Sequence, residues 1–175
     1  PQLLCERLGL AGQRRRRMRL LRGTIAGQLS LGHIDSLELL EIAREMGIDA
    51  IFDIGANIGT WSMLARAVVP GASIDAFEPL GEHCKGFASN LAGQRGVALH
   101  EIALGRENGV GSLHLASFSD ASSLLALTET GEKEFGIVEV GRVPITVRRL
   151  DEYVEERSLG LPDLIKLDVQ GYELE

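Results

Sequence analysis

Residues 51–60 read Ile51-Phe52-Asp53-Ile54-Gly55-Ala56-Asn57-Ile58-Gly59-Thr60, an apolar run that carries one carboxylate and then turns through two glycines. The apolar part predicts a buried strand, and the residues from Gly59 onward predict a helix. Glycine lets the backbone approach a ligand closely, and the first turn of a helix has N–H groups without helical partners. The stretch therefore predicts a loop that binds a nucleotide cofactor.

The glycine spacing discriminates between two kinds of nucleotide. Dinucleotide-binding loops have the pattern Gly-x-Gly-x-x-Gly, whereas this chain has Gly55-x-x-x-Gly59, with Asn57 in place of the second glycine. A side chain at Asn57 obstructs a pyrophosphate, and the Asp53 carboxylate, expected at the mouth of the loop, would repel one. The same carboxylate suits the ammonium and sulfonium groups of S-adenosylmethionine. The loop thus favours the methyl donor, and a NAD-dependent Rossmann oxidoreductase remains the first alternative.

A second acid follows the next predicted strand. Ser73–Phe77 is strand-like, and Glu78-Pro79 comes directly after it, with Glu78 23 residues beyond Gly55. In nucleotide-binding units the acid that binds the ribose stands roughly 20 residues after the glycine loop. Ribose hydroxyls donate hydrogen bonds that a carboxylate accepts. Each motif alone is common, but together they predict a nucleotide site with Glu78 on the ribose.

Five blocks of the chain occur in an order that resembles the FkbM-type methyltransferases. They are Asp53–Gly59, Ala76–Pro79, Ala103–Gly105, Leu150-Asp151 and Asp163–Glu173. The resemblance implies an S-adenosylmethionine-dependent O-methyltransferase with a doubly wound, Rossmann-like class I α/β sheet. It also implies an acceptor hydroxyl on a sugar, a glycolipid or a natural product.

The residues and the resemblance together assign roles to named positions. The candidate cofactor-binding residues are Asp53, Gly55, Ala56, Asn57, Gly59, Thr60, Glu78, Pro79 and Ala103, the last by resemblance alone. Asp168 or Glu173 is expected to position or deprotonate the acceptor hydroxyl. Because ligands bind beyond the carboxyl ends of parallel strands, Asp53, Glu78 and Asp168 are expected around one crevice. Lys166, inside an apolar strand, predicts a structural ion pair with an acid.

One departure from the family pattern leaves a further alternative open. Gln170 stands where members of the family commonly carry Glu. If that carboxylate is catalytic in relatives, this chain lacks it. A cofactor-binding module without turnover is therefore the second alternative.

Composition indicates one soluble domain with an ordinary core. The chain has 175 residues, of which 45% are hydrophobic and 25% charged. The two cysteines lie in no Cys/His cluster, so neither a disulfide framework nor a metal site is predicted, and a cytoplasmic location is compatible. No apolar run reaches the roughly 18 residues of a membrane span.

Charge divides the chain into two parts. Residues 1–30 hold seven Arg and one Glu, whereas the whole chain has a net charge of −7. The run Arg14–Arg19 could contact nucleic acid, but a solvated helix face or a leader fits better because the acidic remainder continues no basic groove. We therefore predict a basic leader with N-terminal helices over 1–47, a methyltransferase domain over 48–175, and no nucleic-acid partner.

The pattern of apolar residues places the elements of this domain. Strands are predicted at 50–54, 73–77, 97–102 and 164–167, and helices at 35–46, 59–69, 80–91 and 150–154. The first helix is expected to start at an Asp35 cap, to turn Leu37, Leu40, Ile42 and Ala43 inward and to cover the edge of the sheet. Alternating stretches at 111–116 and 137–148 predict a small antiparallel insertion between strands three and four.

Two predictions concern the surroundings of this sheet. Ser122 and Ser123 lie in a polar connection that serves either as a lid or as a plain link, and His114 is expected at the surface. The C-terminal half of the sheet is expected to be missing, which would leave strand four as an open apolar edge.

Overall fold

The computed structural model describes residues 33–117, 124 and 138–174, with side chains from Ser36 onward. The expectations for Arg14–Arg19, Ser122 and Ser123 concern residues outside these ranges. The described helices are α1 (His33–Met46), α2 (Thr60–Val68), α3 (Gly81–Asn90) and α4 (Leu150–Arg157). The described strands are β1 (Ala50–Ile54), β2 (Ser73–Phe77), β3 (Val97–His100), β4 (Ala103–Leu104), β5 (Gly109–Ala116), β6 (Glu139–Arg148) and β7 (Leu164–Leu167).

The main sheet is parallel, with the strand order β3-β2-β1-β7. From β1 the chain first builds outward through β2 and β3, and then returns to place β7 on the other side of β1. The strand order therefore reverses between β1 and β7, which is where open α/β sheets bind their ligands. The predicted Rossmann-like α/β fold is confirmed.

Both faces of this sheet are covered by helices. Because successive strand residues point to opposite faces, Ile51 lies in one apolar cluster with Leu40 and Leu64, from α1 and α2. Phe52 lies on the other face, in a cluster with Phe77 and Tyr153 of α4. The buried strands thus form the middle layer of three, as their nearly continuous apolar sequence predicts.

A polar group is built into the second of these clusters. The His100 ring has Nε2 2.8 Å from Asp75 Oδ1 and Nδ1 3.1 Å from the Tyr153 hydroxyl. Phe77 stacks on the His100 ring at a centroid distance of 4.8 Å. These contacts fasten α4 to β2 and β3 without leaving the three polar groups unpaired in the core.

The predicted antiparallel insertion is present, with one added strand. β5 and β6 pair antiparallel, and β4 pairs parallel with β6, so the second sheet has the order β4-β6-β5. The third main strand was predicted to reach residue 102 but ends at His100. Ile102 donates its N–H to the His100 carbonyl, and this turn sends the chain into the second sheet as β4.

Predictions for α1 need three corrections. The helix spans His33–Met46, so Asp35 lies inside it rather than at its cap. Leu37, Leu40 and Ala43 are buried as expected, but Ile42 is 55% exposed. The helix shares an apolar cluster with α2 and β1 and therefore packs over a face of the sheet, not over its edge.

A close backbone contact joins the turn after β1 to the end of β7. Gly55 has φ +77°, and a Cβ atom built on it would lie 1.9 Å from the Asp168 carbonyl oxygen. A side chain of any size is thus excluded by space as well as by backbone conformation. The sequence predicted that Gly55 lets a ligand come close to the backbone. In the structure, Gly55 is required because the Asp168 backbone packs against it.

Replacing Gly55 by alanine is expected to destabilise the fold far more than the same change at Gly93. Gly93 has φ +76°, but no atom lies within 4 Å of its Cβ position. The conformational penalty of Gly93→Ala should be about 1 kcal/mol, and the overlap in Gly55→Ala should add roughly 1–3 kcal/mol or more. Urea unfolding of the two variants measures the difference. Equal losses of stability would show that the Asp168 backbone can move aside.

Candidate functional site

The glycine turn is fixed to the end of β2 by its own amides. The N–H groups of Gly55 and Ala56 both donate to the Phe77 carbonyl, each at 3.0 Å. Asn57 N donates to Glu78 Oε2 at 2.9 Å. The predicted loop and the predicted ribose acid are therefore joined directly, although 21 residues separate them in the chain.

The next two amides of the turn are also occupied. Ile58 N donates to Asn57 Oδ1 at 2.6 Å, and Gly59 N donates to the Ala56 carbonyl at 2.9 Å. Asn57 has φ +51°, a conformation that Asn adopts more readily than most residues. All five amides from residue 55 to residue 59 thus have acceptors within the chain.

Glu78 is held in a defined orientation. Its side chain is almost buried, with the residue 6% exposed. Oε1 accepts from Leu80 N at 2.9 Å and lies 3.3 Å from His83 Nδ1, on the first turn of α3. A carboxylate offers about four acceptor positions, so these contacts and the one from Asn57 leave capacity for a further donor.

Asp53 lies inside the sheet rather than at the mouth of the loop. It is the fourth residue of β1 and is 0% exposed. The hydroxyl of Ser62, buried on α2, donates to Oδ2 at 2.6 Å. Lys166 Nζ lies 3.0 Å from Oδ1, an ion pair without the angle of a hydrogen bond. Burial raises the pKa of the Asp53 carboxyl, while Lys166 and Ser62 act against that rise.

Lys166 joins three parts of the site. It stands beside Asp53 in the register of β7 and β1, so both side chains lie on one face of the sheet. Its Nζ also donates to the Gly55 carbonyl at 2.7 Å and lies 3.9 Å from Asp168 Oδ2. The predicted ion pair is confirmed, and it reaches the glycine turn as well.

The two candidate catalytic acids occupy one turn after β7 but differ in their contacts. The Asp168 side chain is 56% exposed and accepts from Gln170 Nε2 at 3.0 Å. Glu173 Oε1 accepts from the N–H groups of Gly171 and Val169, at 3.1 and 3.2 Å. Backbone N–H groups, first that of Glu173 itself, hold the pKa of the Glu173 carboxyl below its usual range. Both acids are exposed, and Glu173 differs from Asp168 in being bound by backbone amides.

The remaining candidate residues lie at the turn, after β2 and, for Ala103, in the second sheet. Thr60 begins α2, and Gly59 packs so closely on α3 that a Cβ would lie 2.7 Å from the Phe87 ring. Ala56 is buried beside Phe87. Pro79 follows Glu78 between β2 and α3. Ala103 is buried in the apolar cluster of the second sheet.

A cleft of about 360 Å³ opens between the second sheet and the turn after β7. Tyr172, four residues beyond Asp168, forms one side of it. Gly109, Gly111 and Val147 line it, together with the polar side chains of Arg106, Glu107 and Asn108. The cleft therefore combines one aromatic ring with polar side chains.

Sequence reasoning missed two side chains that orient the site acids. Ser62 binds Asp53, and His83 contacts Glu78. Ser62 is a polar residue inside the apolar run of α2, and His83 follows Glu78 on the first turn of the next helix. Both polar residues are visible in the sequence. Their acid partners become evident only once α2 is packed against β1 and α3 follows the end of β2.

The described residues contain no group of three His, Cys, Asp or Glu side chains arranged to hold a metal ion. Within the same part of the chain, no helix has the length and apolarity needed to cross a bilayer.

The parallel sheet, the glycine turn and the acid after β2 define the class of Rossmann-like α/β domains. The sequence profile described as "Methyltransferase FkbM domain" matches residues 53–175, more than two thirds of the chain. The chain belongs to the FkbM methyltransferase family, as the resemblance implied.

Three curated relatives illustrate the range of this family. The chain is 28% identical over 166 residues to "Methyltransferase 1" of Beauveria bassiana (strain ARSEF 2860), covering 79% of the chain and 66% of that protein. It is 28% identical over 130 residues to "2-O-methyltransferase NoeI" of Sinorhizobium fredii (strain NBRC 101917 / NGR234), covering 70% and 54%. It is 27% identical over 156 residues to "31-O-demethyl-FK506 methyltransferase FkbM" of Streptomyces tacrolimicus, covering 71% and 56%. The chain thus spans between about half and two thirds of these relatives.

The thiol beside Glu78 is expected to be unreactive in the folded protein. Cys84 is buried and donates to the Glu78 carbonyl at 3.1 Å. Burial, with Glu101 and Glu78 nearby, raises the pKa of the Cys84 thiol to about 12. Since the thiolate is the reactive form, iodoacetamide at pH 8 should leave the Cys84 peptide unmodified, as read by mass spectrometry. The same reagent in guanidinium chloride should label it; rapid labelling without denaturant would contradict the described packing.

Proposed function

We propose that this chain forms the donor-binding part of an S-adenosylmethionine-dependent O-methyltransferase. The observation that carries the proposal is the state of the glycine turn, whose five amides from residue 55 to residue 59 are all bonded within the chain. Loops that cradle phosphates present free N–H groups to them. A turn without such groups, placed against the Glu78 carboxylate, suits a cationic cofactor that carries no phosphate.

The same observation weighs against the NAD-dependent alternative. A pyrophosphate needs donors, and the turn offers it an Asn side chain and a nearby carboxylate instead. Dinucleotide binding would require the amides of Asn57 and Ile58 to break the bonds they make. Family membership supports the same preference.

Glu78 is the residue that we assign to the ribose. Its contacts with Asn57, Leu80 and His83 fix the carboxylate, and its free acceptor capacity suits a hydroxyl donor. Asp53 is assigned a different part in donor binding. Because it is fully buried and Lys166 balances its charge, we assign it to holding Lys166 and the turn in place, and not to open contact with the cationic donor.

Asp168 is the residue that we assign to the acceptor hydroxyl. The donor supplies an activated methyl group, and the chain must align the attacking oxygen and take up its proton. Asp168 is exposed at the crevice, and the Gln170 amide orients it. A Glu at position 170 could donate that hydrogen bond only when protonated, so Gln170 is compatible with catalysis. Glu173 is committed to the amides of its own turn.

The cleft beside Tyr172 is the proposed entry for the acceptor. It adjoins the turn that carries Asp168, and its aromatic and polar lining suits a hydroxylated ring such as that of a sugar or natural product. The names of two relatives contain 2-O-methyltransferase and 31-O-demethyl-FK506 methyltransferase, which support a hydroxyl acceptor.

Isothermal titration tests the donor assignment. We expect S-adenosylhomocysteine to bind and NADH not to bind. Glu78→Gln should weaken S-adenosylhomocysteine about tenfold or more, because a charge-assisted hydrogen bond to the ribose is lost. Glu82→Gln changes an exposed acid four residues further along, on α3; it is the matched control and should bind as the wild type does. NADH binding, or equal effects of the two changes, would refute the assignment.

Tyr172→Ala tests the acceptor cleft separately. Transfer of labelled methyl groups to glycosides, glycolipids and hydroxylated macrolactones should fall in this variant. Its affinity for S-adenosylhomocysteine should stay within about twofold, a change of only a few tenths of a kcal/mol. A parallel loss of donor binding would show instead that Tyr172 supports the turn around Asp168.

A further inference from the structure

We propose that Lys166 is a positioning residue of the donor site, which holds the glycine turn in its binding conformation through the Gly55 carbonyl. The inference rests on the proposed function and goes beyond a structural ion pair. Its basis is the set of oxygen atoms around Nζ, which belong to β1, to the turn and to the end of β7.

The turn is fastened on two sides by different strands. Its amides at Gly55 and Ala56 donate to Phe77 of β2, and its carbonyl at Gly55 accepts from Lys166 of β7. The Gly55 carbonyl and the Ala56 N–H belong to one peptide group, so Lys166 and Phe77 hold that group from opposite sides. Because this peptide directly precedes the one that carries the Asn57 N–H, its rotation limits the direction of the Asn57 amide toward Glu78.

The Lys166 to Gly55 contact is strong by geometry and by environment. At 2.7 Å it is the shortest of the three contacts of Nζ, and the donor is charged. The Lys166 side chain is 17% exposed, so solvent competes little for the ammonium. A bond to a charged donor of this kind contributes more than a neutral one.

A purely structural role predicts a different behaviour. Asp53 is fully buried, and an uncompensated charge there would be costly, so Lys166 could serve only to balance it. Removing Lys166 alone therefore cannot separate the two roles, because both predict a damaged protein. The two roles separate once the charge of Asp53 has been removed as well.

The comparison is between Asp53→Asn and the double variant Asp53→Asn with Lys166→Met. Asparagine can still accept from Ser62, and methionine fills the volume of the lysine stem without its charge. The first variant keeps the bond to the Gly55 carbonyl, and the second loses it while leaving no unpaired charge at position 53. We expect S-adenosylhomocysteine to bind the double variant roughly ten- to a hundredfold more weakly than Asp53→Asn. Equal affinities would overturn the proposal.

Hydrogen exchange gives a second readout, which does not depend on ligand. Amides at residues 55–59 should exchange at least about tenfold faster in the double variant than in Asp53→Asn. The Ile74 amide, which donates to Gly96 within the sheet, should exchange at the same rate in both. Uniformly faster exchange, or no change at the turn, would show that Lys166 does not position it.

Two further outcomes are distinguished by the same set of proteins. A wild type that does not bind S-adenosylhomocysteine refutes the proposed function, while the exchange result still tests the role of Lys166.

If the double variant fails to fold, Lys166→Arg replaces it. Arginine keeps the charge beside Asp53 but displaces the donor nitrogen, and should weaken binding at least fivefold with an unchanged melting temperature. Unaltered affinity in Lys166→Arg would overturn the proposal.

Discussion

The contact between β1 and β7 is the constraint on which the site depends. At one end of the pair, the Asp163 carboxylate accepts from the amides of Asp49 and Ala50, at 2.8 and 3.0 Å. At the other end, Lys166 lies beside Asp53, and the Asp168 backbone lies against Gly55. Both strand ends are thus clamped by charged or close-packed groups. The position of the glycine turn therefore depends on the pairing of β1 with β7 as well as on the sequence of the turn.

Three acids gathered at one edge of the sheet have three separate environments, and their chemistry differs accordingly. Asp53 is dry and paired with a cation, Glu78 is bound by amides, and Asp168 is open to water. A buried acid can shape the local field, a constrained acid can recognise a fixed donor, and an open acid can exchange a proton. All three residues carry a carboxyl group, so the difference in their roles follows from the difference in their burial and contacts.

The main sheet was readable from the sequence because its strands are short apolar runs with glycine or proline between them, and motif spacing located Glu78. The Lys166 pair was also predictable, since a lysine in a buried strand needs an acid. Other features were not. Gly55 is required because the Asp168 backbone lies against it, and Asp168 is more than a hundred residues away in the chain. The exposure of Ile42 depends on which side of α1 faces the sheet, and the helical pattern alone did not show this. Likewise, β4 has only two residues, too few for a periodic signal.

The long separation between Gly55 and Asp168 has a consequence for how the protein acquires its shape. Parallel β pairing between distant segments forms late, since the chain must close a large loop before any contact offsets the lost entropy. During synthesis, β1, α2 and β2 can associate as soon as they leave the ribosome. At that stage the glycine turn after β1 still lacks its contacts with Lys166 and Asp168 at the end of β7. Its final geometry must wait for residues 164–168. Newly made chains therefore pass through a stage in which every residue of the glycine motif is present but the motif has no rigid form.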